Sequence, residues 1–168
     1  ASSVLFFMCS WNALNDIYDF EIDSVNRPDR PLPSGRISLN VAKVATAITM
    51  ISSILSVALC YWLISESDPI EGLHVSDWYP SLAIWAMALI LLINYEFPFG
   101  LRLKDKGLPG NISISISVGL VVVFGASAVF EPFSEKAWSL FFVGIFYNTS
   151  REIIKDVQDM EGDEGRNT

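Results

Sequence analysis

Three aspartates at i, i+3 and i+7, Asp16, Asp19 and Asp23, stand in "NDIYDFEID" (Asn15 to Asp23), directly after a run without charge. The spacing returns in "KDVQDMEGD" (Lys155 to Asp163) as Asp156, Asp159 and Asp163. On a helix turning ~100° per residue these positions fall within an arc of about 60°, so each triplet presents its carboxylates from one face. Gly162 is the weak point of the second triplet, since it can end the helix and leave Asp163 on a loop. Carboxylates crowded on one face repel one another and are costly near lipid without a counter-charge. One such triplet alone reads most simply as a solvated acidic edge at a helix end. Two of matching spacing read as a divalent-cation site. Carboxylate and amide oxygens, with no Cys or His in reach, suit Mg²⁺ or Mn²⁺ rather than Zn²⁺.

Mg²⁺ usually keeps several waters and takes one or two carboxylates plus phosphate oxygens. Two acidic clusters therefore suggest a diphosphate held between metals, with Arg27, Arg30, Lys104, Arg151 and Lys155 available for the remaining phosphate oxygens. Each of these five, taken singly, reads as an ordinary basic residue at a membrane edge or a partner for a carboxylate, and as a group they complete a phosphate site. A diphosphate at the mouth of an apolar helical cavity points to an isoprenyl diphosphate, whose tail dissolves in the interior. Charge drawn off the leaving group would lengthen the allylic C–O bond, and a nucleophile would capture the cation-like C1.

The elements that must position these groups are membrane helices. The chain of 168 residues is 51% apolar, with a mean hydropathy of +0.40, above the range of ordinary soluble domains. Residues 1–15, 44–65, 78–95, 107–130 and 137–150 carry no charge. A helical crossing takes ~20 mostly apolar residues, which the three middle runs satisfy outright. The first and last are shorter, and each runs straight into an aspartate triplet. The expected fold is all-α, a multi-pass transmembrane bundle of about five helices. The chain opens inside an apolar run and closes on a polar tail, 161–168, so the expectation is a fragment with helices missing on both sides.

Charge alternates with these runs. Arg27, Arg30, Arg36 and Lys43 share one side with Arg102, Lys104 and Lys106, and with Arg151, Lys155 and Arg166. The other side has Lys136 alone, among Glu66, Asp68, Glu71, Asp77, Glu131 and Glu135. The positive-inside rule places the triplets and basic loops on the cytoplasmic face of the cell membrane. With the net charge at −8 and the basic residues confined to short loops and helix ends, no nucleic-acid partner is expected. Cys9 and Cys60 lie within apolar runs, far from any metal-ligand spacing, and read as small packing residues. His74 reads as a solvated residue of the acidic outer loop.

"NRPDRPLPSGRIS" (Asn26 to Ser38) holds three prolines and a glycine and must be a loop, with Ser38 or Asn40 capping the next helix. Pro98 and Gly100 end the third helix near Phe97. The segment "SISIS" (Ser113 to Ser117) alternates like a strand. A lone strand in lipid leaves its backbone unpaired, so helix is expected, with the serines as small packing surface. The last helix is expected from Ser134 or Glu135 through Arg151 toward Asp159.

"NDIYDFEID" resembles the first aspartate-rich motif, NDxxDxxxD, of the UbiA superfamily of intramembrane prenyltransferases, and "REIIKDVQDMEGD" their second, DxxxD-containing motif. The resemblance covers nearly the whole chain. Family members have nine transmembrane helices, so residues 1–168 look like a single partial domain, helix two to helix six, and the fragment alone is expected to be inactive. With "NRPDRPLPSGRIS" and "GLPGN" added, the chain is most similar to archaeal members that move a geranylgeranyl group from its diphosphate to geranylgeranylglyceryl phosphate in ether-lipid biosynthesis. This implies metal ligation by Asn15, Asp16, Asp19, Asp23, Asp159 and Asp163, with Asp156 added from spacing. One departure concerns a YxxxK motif found in many members: if Lys104 is its lysine, Gly100 stands at the tyrosine position and Tyr95 lies too far back. Two other functions compete, namely a UbiA-type enzyme with an aromatic or chlorophyll-like acceptor and a non-enzymatic cation transporter. The transporter predicts ionisable residues at mid-membrane, which the apolar runs lack.

Overall fold

The structure, a computed structural model, describes residues 1–66 and 74–164, with the side chains of residues 158–164 excluded. All regular elements among the described residues are helical. They fall into two compact units, one on each side of residues 67–73.

The first unit contains α1 (Ser2–Tyr18), α2 (Phe20–Asn26) and α3 (Leu39–Glu66). Small hydroxyl residues join α1 to α3, in a unit that also buries Phe7, Trp11 and Val57. Ser10 Oγ donates to the carbonyl of Thr46 at 3.0 Å, and Ser53 Oγ to that of Ser3 at 2.9 Å. Ser10 and Ser53 are fully buried. Apolar side chains gain little by leaving lipid, so close packing and hydroxyl bonds together hold the two helices. The two pairings run in opposite order along the helices, which makes α1 and α3 antiparallel.

The loop between α2 and α3 is closed by its own turns. Arg30 N–H donates to Arg27 O at 3.1 Å, Ser34 N–H to Arg30 O at 3.0 Å and Ile37 N–H to Pro31 O at 3.0 Å. Gly35 takes a left-handed φ of 73°, a conformation that costs glycine nothing. Leu32 of the same loop is buried. Ser38, not Asn40, caps α3, its Oγ accepting from Val41 N–H at 3.4 Å.

The second unit contains a 3₁₀ turn (Val75–Trp78), α4 (Tyr79–Glu96), a second 3₁₀ turn (Leu103–Lys106), α5 (Leu108–Ser127) and α6 (Glu135–Glu164). "SISIS" is helical, with Ser113, Ser115 and Ser117 all buried. Asn148 of α6 donates to Ser115 Oγ at 3.1 Å. Gly119 lets α6 approach closely, since a Cβ there would sit 2.8 Å from the Phe141 ring. At one end of this unit the hydroxyls of Ser81 and Ser127 pair at 2.9 Å and Trp78 Nε1 reaches the Ala128 carbonyl at 3.3 Å. The opposite end carries the polar groups described below.

Three helices among the described residues are long and apolar enough to cross a bilayer, spanning Leu39–Glu66, Val75–Glu96 and Leu108–Ser127. Both outer runs are helical too. However, α1 has only 17 residues, and the 30 residues of α6 run on into a charged half. Gly162 does not end α6, which continues to Glu164. Cys9 and Cys60 are free thiols on exposed faces rather than packing residues.

Candidate functional site

The first triplet straddles a helix junction. α1 stops at Tyr18 and α2 starts at Phe20, with Asp19 between them at φ −87° and ψ 4°. The hydrogen-bond ladder nevertheless passes through, Asp19 N–H donating to Asn15 O at 2.9 Å and Asp23 N–H to Asp19 O at 2.7 Å. Helical phase is thus kept across the break, and Asp16 and Asp23 remain on a shared side. Arg30 lies between them, its Nη1 at 3.2 Å from Asp16 Oδ1 and 2.5 Å from Asp23 Oδ2. Asp19 is engaged separately, accepting from Asn15 Nδ2 at 2.9 Å.

The electrostatics follow from this layout. Asp23 is buried, so its charge needs the guanidinium. Asp16, which lies beyond the uncharged run of α1, has its carboxyl pushed above the ordinary range by burial; Arg30 opposes the shift, and the charges of Asp23 and Asp19 add to it. The loop "NRPDRPLPSGRIS" therefore supplies, through Arg30, a counter-charge for Asp16 and Asp23. Arg27 begins the same loop, exposed, with its N–H closing α2 on Asp23 O at 2.8 Å.

In the second unit Asp156 is held from the neighbouring helix. Asn111, near the start of α5, is buried and donates from Nδ2 to Asp156 Oδ2 at 2.7 Å. Arg151 and Lys155 are both drawn to the buried carboxylate of Glu152, at 3.2 Å and 3.1 Å. Between them on α6 lies an open depression of about 450 Å³ lined by Tyr147, Ser150, Arg151, Ile154 and Lys155. Lys104 is ion-paired with Glu96, the last residue of α4. The backbone of α6 carries Asp159 and Asp163 on the same helix as Asp156, but their side chains lie outside the described residues.

Each unit thus gathers carboxylates and basic groups at one of its ends. Among the described residues no three Asp, Glu, His or Cys side chains converge as a metal-holding group. The reason in the first triplet is that Arg30 occupies the space between Asp16 and Asp23, while Asp19 is tied to Asn15. The donor chemistry still fits a hard divalent cation: the oxygens are carboxylate and amide, and one pair already accepts a cationic group between them.

Glu96, Asn111 and Glu152 were not singled out from sequence, although all three are buried partners of residues that were. Glu96 had one available signal, as the first charge after a long uncharged run. Asn111 had another, as the first amide of the apolar α5. Glu152 had none, because only the fold distinguishes it from its charged neighbours.

An all-helical chain with three membrane-length helices and acidic–basic clusters at the helix ends describes a multi-pass membrane protein of a particular family. The chain matches the UbiA prenyltransferase family over residues 1–168 and belongs to it. Among named relatives it is similar to the digeranylgeranylglyceryl phosphate synthase of Methanobrevibacter smithii, 34% identical over 163 residues, covering 96% of this chain and 52% of the relative. The enzymes of that name from Methanococcus maripaludis and Methanothermobacter thermautotrophicus are 37% and 38% identical, covering 97% and 90% of this chain and 50% and 46% of the relatives. The chain thus spans about half the length of the curated relatives it matches. No solved structure gives a significant match.

Proposed function

We propose that the protein carrying this chain is a prenyltransferase that moves a geranylgeranyl group from its diphosphate to geranylgeranylglyceryl phosphate, at the cytoplasmic face of the cell membrane. In this reading residues 1–168 correspond to helix two through helix six of a nine-helix domain. The observation that carries it is the pairing of Arg30 with Asp16 and Asp23: a basic loop set into an aspartate triplet, in a chain of this family. The synthase relatives supply the substrates.

Asn15, Asp16, Asp19, Asp23, Asp156, Asp159 and Asp163 would hold Mg²⁺ or Mn²⁺. The metal's chemistry is charge neutralisation on the departing diphosphate. Arg27, Arg30, Lys104, Arg151 and Lys155 bind and orient the phosphate oxygens. The allylic C1–O bond breaks with its electron pair going to the diphosphate, and an acceptor hydroxyl oxygen bonds to C1 and loses its proton. The apolar helices keep water from the cation-like carbon.

The test is incubation of the full-length protein with geranylgeranyl diphosphate, Mg²⁺ and a panel of acceptors. Ether formation on geranylgeranylglyceryl phosphate is the expected result. Product with an aromatic or chlorophyll-like acceptor alone would overturn the acceptor assignment, and no product with any acceptor would overturn the activity.

A further inference from the structure

The second unit buries a carboxylate at a helix end. Glu96 is 1% exposed, and its Oε1 receives the ammonium of Lys104, whose side chain is 15% exposed. Removing two charges from water carries a penalty that their attraction only partly returns, so such a pair is weak evidence for stability alone. The loop it spans is anchored without it. Leu101 N–H donates to Asn94 Oδ1 at 3.3 Å. At Gly100 a Cβ would lie 3.0 Å from Ile93 O, and at Gly110 one would lie 2.3 Å from Leu103 O, so backbone packs on backbone at both ends. Arg102 and Asp105 close the turn between them with an ion pair of 2.7 Å.

What the pair adds is a fixed lysine. A free lysine gives up rotamer freedom, at an entropic cost, when it is held in one geometry. Glu96 meets that cost before any ligand arrives. It does so beside the start of α5, where the Lys104 backbone would lie 3.3 Å from a Cβ at Gly110. The next residue, Asn111, grips Asp156. We propose that Glu96 is a positioning residue that holds the Lys104 ammonium pre-oriented for the phosphate oxygens of the diphosphate. This rests on the prenyltransferase reading above.

Binding of inorganic pyrophosphate with Mg²⁺ to the full-length protein, measured calorimetrically, tests it alongside steady-state kinetics. Glu96→Gln is expected to weaken pyrophosphate about tenfold and raise KM for the prenyl diphosphate similarly, with kcat within about twofold. Those fold-changes are the scale of one mis-set charge contact. Glu96→Asp should recover part of the loss, and Glu96→Gln combined with Lys104→Met should bind no worse than Lys104→Met alone. Should Glu96→Gln fail to fold, Glu96→Asp carries the same comparison at smaller amplitude. Wild-type pyrophosphate affinity in folded Glu96 variants, or additive losses in the double variant, overturns the proposal. Lys104→Met binding like wild type while Asp19→Asn loses binding also overturns it and leaves the prenyltransferase reading standing. Wild-type binding and turnover in both Lys104→Met and Asp19→Asn would instead sink that reading itself.

Discussion

Asn111 Nδ2 donates to Asp156 Oδ2 at 2.7 Å, joining the start of α5 to the second aspartate triplet on α6. The bond fixes one carboxylate of the triplet from a neighbouring helix, and it does so from a buried donor. Removing Asp156 leaves the buried Asn111 amide without this acceptor. A bond to a charged group is worth about 1.5–3 kcal/mol. Asn111→Ala is expected to destabilise the protein by about that amount in denaturant melts, and a double-mutant cycle with Asp156→Ala should return a coupling of about 1–2 kcal/mol. A coupling near zero would show that the two side chains act independently.

The helices and their caps could be read from sequence because they follow from local rules. Uncharged runs, Pro98 after α4 and Ser38 before α3 each fix an element through residues close in sequence. The spacing of the triplets was legible for the same reason, but the junction at Asp19 that splits the first of them between α1 and α2 was not. Partners were not. Glu96, Asn111 and Glu152 matter because of which side chain a neighbouring turn or helix places beside them, and no periodicity encodes that. The bridging of Asp16 and Asp23 by Arg30 was foreseen only as a need for counter-charge. Its particular donor depends on the turns of residues 27–38.

Replacing Arg30 tests that bridge. Arg30→Met leaves the buried Asp23 beside Asp16 with no guanidinium between them. Loss of one partner of a fully buried pair costs about 3–5 kcal/mol. Here Arg30 and Asp16 are 33% and 46% exposed at their side chains, and solvent screening brings the expectation to about 1–3 kcal/mol. Because one nitrogen serves both carboxylates, Arg30→Lys should retain more than half of the stability. Equal melting temperatures for Arg30→Met and wild type would refute the bridge.

Metal addition gives a related test on the same residues. If Asp16 and Asp23 can take a divalent cation, Mg²⁺ should raise the melting temperature of Arg30→Met by more than that of wild type, because the variant's carboxylates lack their resident counter-charge. EDTA should erase the difference. An identical Mg²⁺ response in both proteins would mean that the pair does not bind the ion.

The glycines separate close approach from mere helix content. At Gly110 an added Cβ would meet the backbone carbonyl of Leu103 at 2.3 Å, whereas Gly125 and Gly144 face open space. Gly110→Ala must push the Leu103–Lys106 turn away from α5, and a loss of about 1–3 kcal/mol is expected. Gly125→Ala should be neutral or stabilising by up to about 1 kcal/mol, since alanine orders a helix at less entropic cost. Melting temperatures of the two variants in one detergent provide the check, and the reverse order would contradict the packing of the turn on α5.

Asp19 gives the most direct test of the proposed metal role because it stands apart from the Arg30 bridge. Its carboxylate accepts from Asn15 Nδ2 at 2.9 Å, and it occupies the junction of α1 and α2. Removing it therefore disturbs the fold less than removing Asp23, which is buried and ion-paired. In the full-length protein Asp19→Ala, and Asp159→Ala in the second motif, are expected to insert normally while prenyl transfer falls by about 10³-fold or more. That factor corresponds to several kcal/mol of lost charge stabilisation on the leaving group. Arg27→Ala should act more mildly, weakening diphosphate binding with turnover at saturation largely kept. Wild-type turnover in Asp19→Ala would remove the first triplet from the proposed mechanism, and wild-type turnover in Asp159→Ala would remove the second.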